Sequence, residues 1–473
     1  MMEIPLWIDG RPVVSGRQIA VRIPYDGEPF AQVAQANQDH VNAAIEAALR
    51  ASRIMRALTN AERAEILRRA RALLFDRKEE FARTIASESG KPLREARVET
   101  ERAANTLLFS AEEASRLCGE VVPMDALPAG RDHLAMTLRL PLGVIAAITP
   151  FNFPLNLSVH KIGPALAAGN AVVHKPASAT PVSAWLLAQA LHDAGLPPGA
   201  LNVVPGSGAE VGHVLADHPG VAMITFTGSA EVGLALKARA ARKRVTLELG
   251  NNSALLVEPD ADLEDCAARA VPGAYAHSGQ VCISIQRIYL HEDIAPAFIE
   301  RFAALAEALR RGHPLDESTE VSSLITESEA RRVEAWIEEA ERAGARRAAG
   351  GERDGTRMTP CLLLDPPEDS RVFAQEAFGP LACVRTYSRL EEAIEATNRS
   401  SYGLQAGLFT RDLSKAFRAA REVEVGGFLI NDVPQFRLDQ MPYGGVKDSG
   451  TGREGPKYAI EEMTERRLVS WRF

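Results

Sequence analysis

Residues 143–176 read GVIAAITPFNFPLNLSVHKIGPALAAGNAVVHKP. Two short apolar runs, GVIAAITP and NAVVHKP, flank a segment long enough for a helix. Runs of this length without polar alternation suit strands buried on both faces of a parallel sheet. The texture recurs downstream in ALNVVPG, VAMITFTG and RVTLELG, with helix-length pieces between such as TPVSAWLLAQALHDAGLPPG. Strands alternating with helices predict βαβ units in a doubly wound sheet, which binds ligands at the carboxyl ends of its strands.

Upstream, residues 40 to 115 read as helices. NAERAEILRRARALLFDRKEEFARTIASESGKP carries an apolar stripe through Ile66, Leu67, Ala70, Leu73 and Leu74. The pattern predicts a helix capped by Asn60 that stops at Gly90. Downstream of residue 250 a second alternating series runs through NSALLVEPD, SIQRIYLHE, PCLLLDPP, AGLFTRD and GGFLIND, which predicts a second α/β lobe. EVVPMDALPAGRDHLAMTLRLPLG and the tail TERRLVSWRF have strand character with few core anchors. An exposed strand edge seeks a partner, so both are candidate oligomer contacts.

The 473 residues carry a net charge of −8. That disfavours nucleic acid as the main partner, because phosphate binding needs a clustered basic surface. The five cysteines (118, 266, 282, 361 and 383) show no metal-ligand or disulfide-framework spacing, so no metal is expected and the thiols suit a reducing compartment. With no signal peptide or membrane-length apolar run in view, a cytoplasmic protein is expected.

Several residues carry chemistry if the fold is right. Cys282, in HSGQVCISIQR, follows a turn at Gly279. Such a cysteine is either a nucleophile, its thiolate favoured by nearby N–H groups, or a small buried hydrophobe. Cys118, Cys266, Cys361 and Cys383 read as buried spectators. Glu248 ends the strand RVTLELG, where it serves either as a general base or as a surface carboxylate. Asn152 is an oxyanion donor or a turn residue. VVPGSGAEVG places Gly206, Gly208 and Gly212 one residue wider than the Gly-x-Gly-x-x-Gly fingerprint. Gly228 and Ser229 open a helix whose N–H groups suit a phosphate. Lys175 ends another strand, within reach of a cofactor hydroxyl.

Taken in order, TPFNFPLNLSVHKIGPALAAGNAVVHKP, FTGS, LELG, GQVC, EAFGP and MPYGGVKDSGTGREG resemble the aldehyde dehydrogenase superfamily, from about residue 5 to the end. The resemblance implies an α/β fold with a dinucleotide-binding doubly wound lobe (1–118 and 141–250) and an α/β catalytic lobe (251–430). It also implies oligomerisation strands (119–140 and 456–473) and an active-site loop (431–455). It implies NAD or NADP as cofactor, a small aldehyde as substrate, and a homodimer or homotetramer.

The resemblance further implies roles. Cys282 attacks the aldehyde, Asn152 and the Cys282 N–H hold the oxyanion, and Glu248 activates the water that hydrolyses the thioester. Lys161 and Glu454 lie near the proton path. Lys175 and Glu376 fix the riboses, Phe378 packs near the nicotinamide, and Gly228 and Ser229 meet the pyrophosphate. Thr149, Pro150, Phe151, Ser178, Gly208, Gly212, Phe226 and Leu249 complete the cofactor set. Asn251 stands where the family usually has a second glycine, and Ser178 where many NAD-specific members have glutamate. Relatives that use phosphate or phosphonate aldehydes resemble each other in a basic residue just before the nucleophile; here it is Val281. Arg102, His160 and Arg437 are the remaining candidate substrate contacts. The motifs look most like the lactaldehyde subgroup, so a short hydroxyaldehyde is the first expectation. A phosphorylated or phosphonate aldehyde is the second. A coenzyme-A-acylating enzyme is disfavoured by Glu248, and a silent binding protein by the joint presence of Cys282, Asn152, Glu248 and Glu376.

Overall fold

The computed structural model of the chain describes residues 1–473. Its first lobe is built on an eight-stranded sheet. From one edge the strands are Gly450–Thr451, Arg244–Glu248, Met223–Thr227, Val144–Ile148, Ala171–Lys175, Leu201–Val203, Leu6–Ile8 and Arg11–Val13. The five central strands run parallel, and the edges are closed by antiparallel pairings. After Val144–Ile148 the chain adds strands on one side, to Leu201–Val203, then returns to add Met223–Thr227 and Arg244–Glu248 on the other. The order therefore reverses between Val144–Ile148 and Met223–Thr227, and a doubly wound sheet opens its ligand crevice at such a point.

The second lobe is a seven-stranded sheet. Its order is Arg346–Ala349, Cys361–Leu364, Leu381–Tyr387, Ile285–His291, Ser253–Val257, Gln405–Phe409 and Gly427–Ile430, parallel except at the first edge. Its strands read as continuous apolar runs because each serves two cores. Ala254 and Leu256 pack into one hydrophobic cluster, and Leu255 and Val257 into another on the opposite face.

Local differences from the sequence pattern have simple causes. Asn60 is the first residue of its helix rather than the cap. Thr59 caps it, accepting from the Glu62 N–H while Glu62 reaches back to the Thr59 N–H. That helix ends at Asp76, and a separate helix, Lys78–Ser89, runs to left-handed Gly90. In the tail, Pro456–Glu462 is a helix whose Ala459 and Ile460 are buried in the first lobe's core, so the strand begins only at Thr464. Thr464–Arg472 pairs antiparallel with His133–Pro141, and Val121–Val122 completes a three-stranded sheet. Cys266, Cys361 and Cys383 are buried, but Cys118 is exposed, just past the end of the helix Leu93–Arg116. No helix is long and apolar enough to cross a membrane.

Candidate active site

Cys282 lies between the lobes, at the wall shared by two cavities. It reaches that place through an unusual turn. His277, Ser278 and Gly279 are all left-handed, with φ of 48°, 56° and 72°. A Cβ on Gly279 would sit 2.0 Å from the Gly379 carbonyl oxygen, so only glycine lets the cysteine loop press against the Phe378–Pro380 turn. Gln280 locks the loop from below, donating to the His277 and Ser323 carbonyls and accepting from the Ile325 N–H.

One cavity, of about 350 Å³, opens at the switch point. Of the expected cofactor residues, Pro150, Phe151, Gly228, Ser229, Leu249, Glu376 and Phe378 line it, together with Asn152 and Cys282. Phe151 and Phe378 meet edge to face with centroids 5.8 Å apart. Thr149 does not line it, because its hydroxyl bonds His174 Nε2 at 2.9 Å inside the core. Phe226 lies beneath the turn, where a Cβ on Gly228 would fall 2.6 Å from its ring. Lys175 and Ser178 sit outside the cavity, at and just beyond the carboxyl end of Ala171–Lys175. Burial lowers the Lys175 ammonium to about 8, and Ser178 Oγ donates to the Gly206 carbonyl at 3.2 Å. Gly208 and Gly212 bracket a wide helical turn capped by Ser207. A Cβ at either would meet nothing, so close approach does not explain these two glycines. Thr227, Gly250, Glu329 and Arg332 also line the cavity. The last two come from the helix Glu327–Arg342, which carries no motif.

Glu376 is half-buried in the wall of this cavity, and loss of solvent raises its carboxyl to about 7. It accepts from the Asn251 N–H at 2.9 Å. A Cβ on Gly250 would fall 2.5 Å from its Oε2. Asn251 is not left-handed, so its departure from glycine costs no strain. Its buried side chain instead joins the turn to the second lobe, donating to Ser253 Oγ at 2.7 Å and accepting from the Leu404 N–H.

The second cavity, of about 410 Å³, lies on the other side of Cys282. Phe153, Val281 and Ile283 give it apolar walls. Arg94, Glu95, Glu99 and Arg102 reach it from the helix Leu93–Arg116, and Arg437 and Tyr443 from the 431–455 segment. Among the three expected substrate contacts, Arg102 and Arg437 line it and His160 does not. His160 is buried behind, with Nε2 3.0 Å from Asp439. Asp439 also pairs with Arg102 at 2.9 Å. Arg437 is the less satisfied cation. Its Nη2 donates to Glu454 at 3.1 Å, but its buried Nε has no partner. Glu95 accepts from the His277 N–H, and burial raises its carboxyl to about 7.

Between the cavities the candidate reacting groups converge. Burial raises the Cys282 thiol to about 11; a bond with the Tyr443 hydroxyl at 2.8 Å and the Arg437 charge oppose the shift. Burial among apolar Phe153, Val281 and Ile283 thus works against the thiolate that a turn favours. Asn152 Nδ2 donates one hydrogen to the Gln280 carbonyl at 2.8 Å, which leaves its second free. The Cys282 N–H makes no bond within the protein.

Two buried carboxylates stand near the reacting centre with opposite fates. Glu248 ends its strand with neither oxygen partnered; burial and then the Glu454 charge raise its pKa well above the ordinary value. Glu454 is equally buried, yet Lys161 at 2.7 Å and Arg437 outweigh burial and hold it down at about 2. Gly444 lets the 431–455 segment close over Glu248, since a Cβ there would fall 2.9 Å from its Oε1.

The sequence profile of the Aldehyde dehydrogenase family matches residues 11–469. A 3-sulfolactaldehyde dehydrogenase of Priestia megaterium is 48% identical over 464 residues, covering 98% of this chain and 97% of that protein. The crystal structure of aldehyde dehydrogenase 21 from Physcomitrella patens with its reaction product succinate superposes at a TM-score of 0.98. It is 38% identical and covers 100% of this chain and 98% of the other. An NADP-dependent glyceraldehyde-3-phosphate dehydrogenase from Bacillus halodurans, complexed with NADP, gives 0.97 at 36% identity with 100% of both chains covered.

Proposed function

This chain belongs to the aldehyde dehydrogenase family, and within it we propose oxidation of a short hydroxyaldehyde whose far end carries an anionic group, of the 3-sulfolactaldehyde kind. The observation that carries this reading is Arg437. It is a buried guanidinium beside Cys282 with an unpartnered Nε, in a cavity that Arg102 also lines. A buried donor left without an acceptor costs roughly 1–3 kcal/mol, so the site is built for an acceptor that arrives with the substrate. Three relatives support the same chemistry by their names, with a sulfonate, a carboxylate and a phosphate at the end of a short carbon chain. The basic residue missing at Val281 is made up by Arg437, which reaches the cavity from a different segment.

The cofactor is NAD or NADP, and when bound it accepts the hydride of the substrate aldehyde. The residues at the switch point fit such a group: an aromatic pair, the N-terminus of the helix that begins at Ala230, and the half-buried Glu376 carboxylate given room by Gly250. The chain's own residues do the rest. The Cys282 sulfur bonds the aldehyde carbon. The free Asn152 amide hydrogen and the Cys282 N–H hold the oxygen as it gains charge. Loss of hydride leaves a thioester on Cys282. Glu248, its pKa raised by burial and by the Glu454 charge, takes a proton from the water that hydrolyses it. The strands Thr464–Arg472 and His133–Pro141 supply a homo-oligomer contact.

A panel of aldehydes tests the substrate class. Sulfolactaldehyde, glyceraldehyde 3-phosphate, succinic semialdehyde, lactaldehyde and a plain aliphatic aldehyde are compared by formation of reduced cofactor, with NAD and NADP in turn. Arg437→Met is expected to lower kcat/KM for the preferred anionic aldehyde roughly 10- to 100-fold more than it lowers that for lactaldehyde, the worth of a charge-assisted bond. Preference for lactaldehyde over every anionic member of the panel overturns the reading.

A further inference from the structure

Tyr443 is the residue whose position the reaction scheme leaves unused. Its hydroxyl is the only side-chain group hydrogen-bonded to the Cys282 sulfur, at 2.8 Å. Glu248, the base of the hydrolytic step, makes no bond to that sulfur. The ring is 3% exposed, and its place is set by the backbone. Tyr443 N–H donates to the Glu454 carbonyl at 3.1 Å, and Glu454 N–H returns to the Tyr443 carbonyl at 2.6 Å. One face of the ring is covered by the Arg437 guanidinium, 3.6 Å from the centroid. A cation on the π face draws electron density from the ring, which makes the phenol a stronger donor.

We propose that Tyr443 is a catalytic residue: its hydroxyl donates to the Cys282 sulfur and holds it as the thiolate that attacks the aldehyde, with Arg437 acting through the ring as a positioning residue. The inference rests on Cys282 being the nucleophile. Ionisation breaks the S–H bond and releases the proton to solvent through the cavity. The Tyr443 O–H stays intact and turns wholly to the donor role. The charged groups that bear on the sulfur are Arg437, which favours the thiolate, and Glu376 and Glu248, which oppose it when ionised. Burial alone pushes the thiol far above neutral pH, so a donor at the sulfur determines how much thiolate exists at working pH.

The test needs neither aldehyde nor cofactor. The full-length enzyme is alkylated with iodoacetamide across a range of pH, and modification at Cys282 is followed by peptide mass, which separates it from exposed Cys118. Tyr443→Phe keeps the ring, its packing and the Arg437 stack, and removes only the donor. It is expected to slow alkylation of Cys282 about tenfold at neutral pH and to raise the midpoint by about one unit, a factor of ten per unit. Arg437→Met moves the midpoint the same way, and its effect is smaller in the Tyr443→Phe background, where only its direct charge on the sulfur remains. Unchanged alkylation in Tyr443→Phe overturns the proposal while leaving Cys282 as nucleophile. Full additivity of the two variants overturns the role of Arg437 through the ring. A Cys282 that resists alkylation in the parent enzyme overturns the reading on which the proposal rests.

Discussion

The two cavities that share Cys282 are made of different material. The one at the switch point is lined mainly by short turns, Pro150–Asn152, Thr227–Ser229 and Leu249–Gly250 at strand ends and Glu376 and Phe378 before the strand Leu381–Tyr387, with Glu329 and Arg332 added from a helix. Glycines set its dimensions, with Gly250 admitting Glu376 and Gly279 admitting the Gly379 carbonyl. The other cavity is formed by long side chains from the helix Leu93–Arg116 and the 431–455 segment. That helix is fixed to the reacting centre from within. Buried Glu99 pairs with Lys91, and its Oε1 accepts from the Leu155 and Asn156 N–H groups just past Asn152. A wall of tight turns at strand ends is constrained by the fold, whereas a wall of long side chains can be rewritten residue by residue. On the proposed reading, the cofactor side holds the chemistry constant while the substrate side sets specificity.

The wall between the cavities gives the largest effects, because it belongs to both. Cys282→Ala is expected to abolish oxidation of every aldehyde, beyond about 10⁴-fold, with cofactor binding kept. Glu248→Gln is expected to release one equivalent of reduced cofactor per site and then stall. Its steady rate should fall roughly 10²- to 10⁴-fold, the usual worth of a general base. Rapid-quench measurement of the first turnover against the steady state separates the two. Normal steady turnover in Glu248→Gln removes the carboxylate from hydrolysis.

On the cofactor side alone, Gly250→Ala places a methyl against Glu376 and moves the carboxylate. Cofactor affinity, read by fluorescence titration, is expected to weaken about tenfold, the loss of one good hydrogen bond to a charged group. The rate of Cys282 alkylation without cofactor stays as it was. Equal loss of both would mean that the two cavities are not separable in this way.

The same division explains what the sequence carried. The cofactor side is made of strand-to-helix turns, each local in the chain, so apolar runs followed by Gly, Pro or Asn marked Asn152, Gly228 and Glu248. The second lobe's strands were legible for a similar reason, since burial on both faces writes a continuous apolar run. The substrate side is joined across hundreds of residues. Nothing near Arg437 announces that its Nε lacks a partner, and nothing near Asp439 announces that it occupies both Arg102 and His160. Glu95 gave no signal at all, because an acidic residue in the first turn of a helix ordinarily reads as a favourable partner of the helix dipole. Arg332 and Tyr443 were missed for the same lack of local pattern.

Glu95 gives the smallest effect and the finest test of the substrate side. Its carboxyl faces a cavity proposed to take an anion, and burial raises it to about 7, with Lys91, Arg94 and the His277 N–H opposing burial and Glu99 adding to it. Below that pH Glu95 is neutral; above it the carboxylate repels the anion. The kcat/KM for an anionic aldehyde is therefore expected to fall, relative to a neutral one, as pH rises through 7. The drop should be roughly twofold to tenfold, as for like charges separated by several ångströms near a protein surface. Taking the ratio of the two aldehydes cancels the titrations of Glu248, Glu376 and Cys282, which act on both substrates alike. Glu95→Gln should make that ratio flat across the same range. A ratio already flat in the parent enzyme would mean that the anion lies beyond the reach of Glu95, and would move its seat toward Arg437 at the Cys282 end of the cavity.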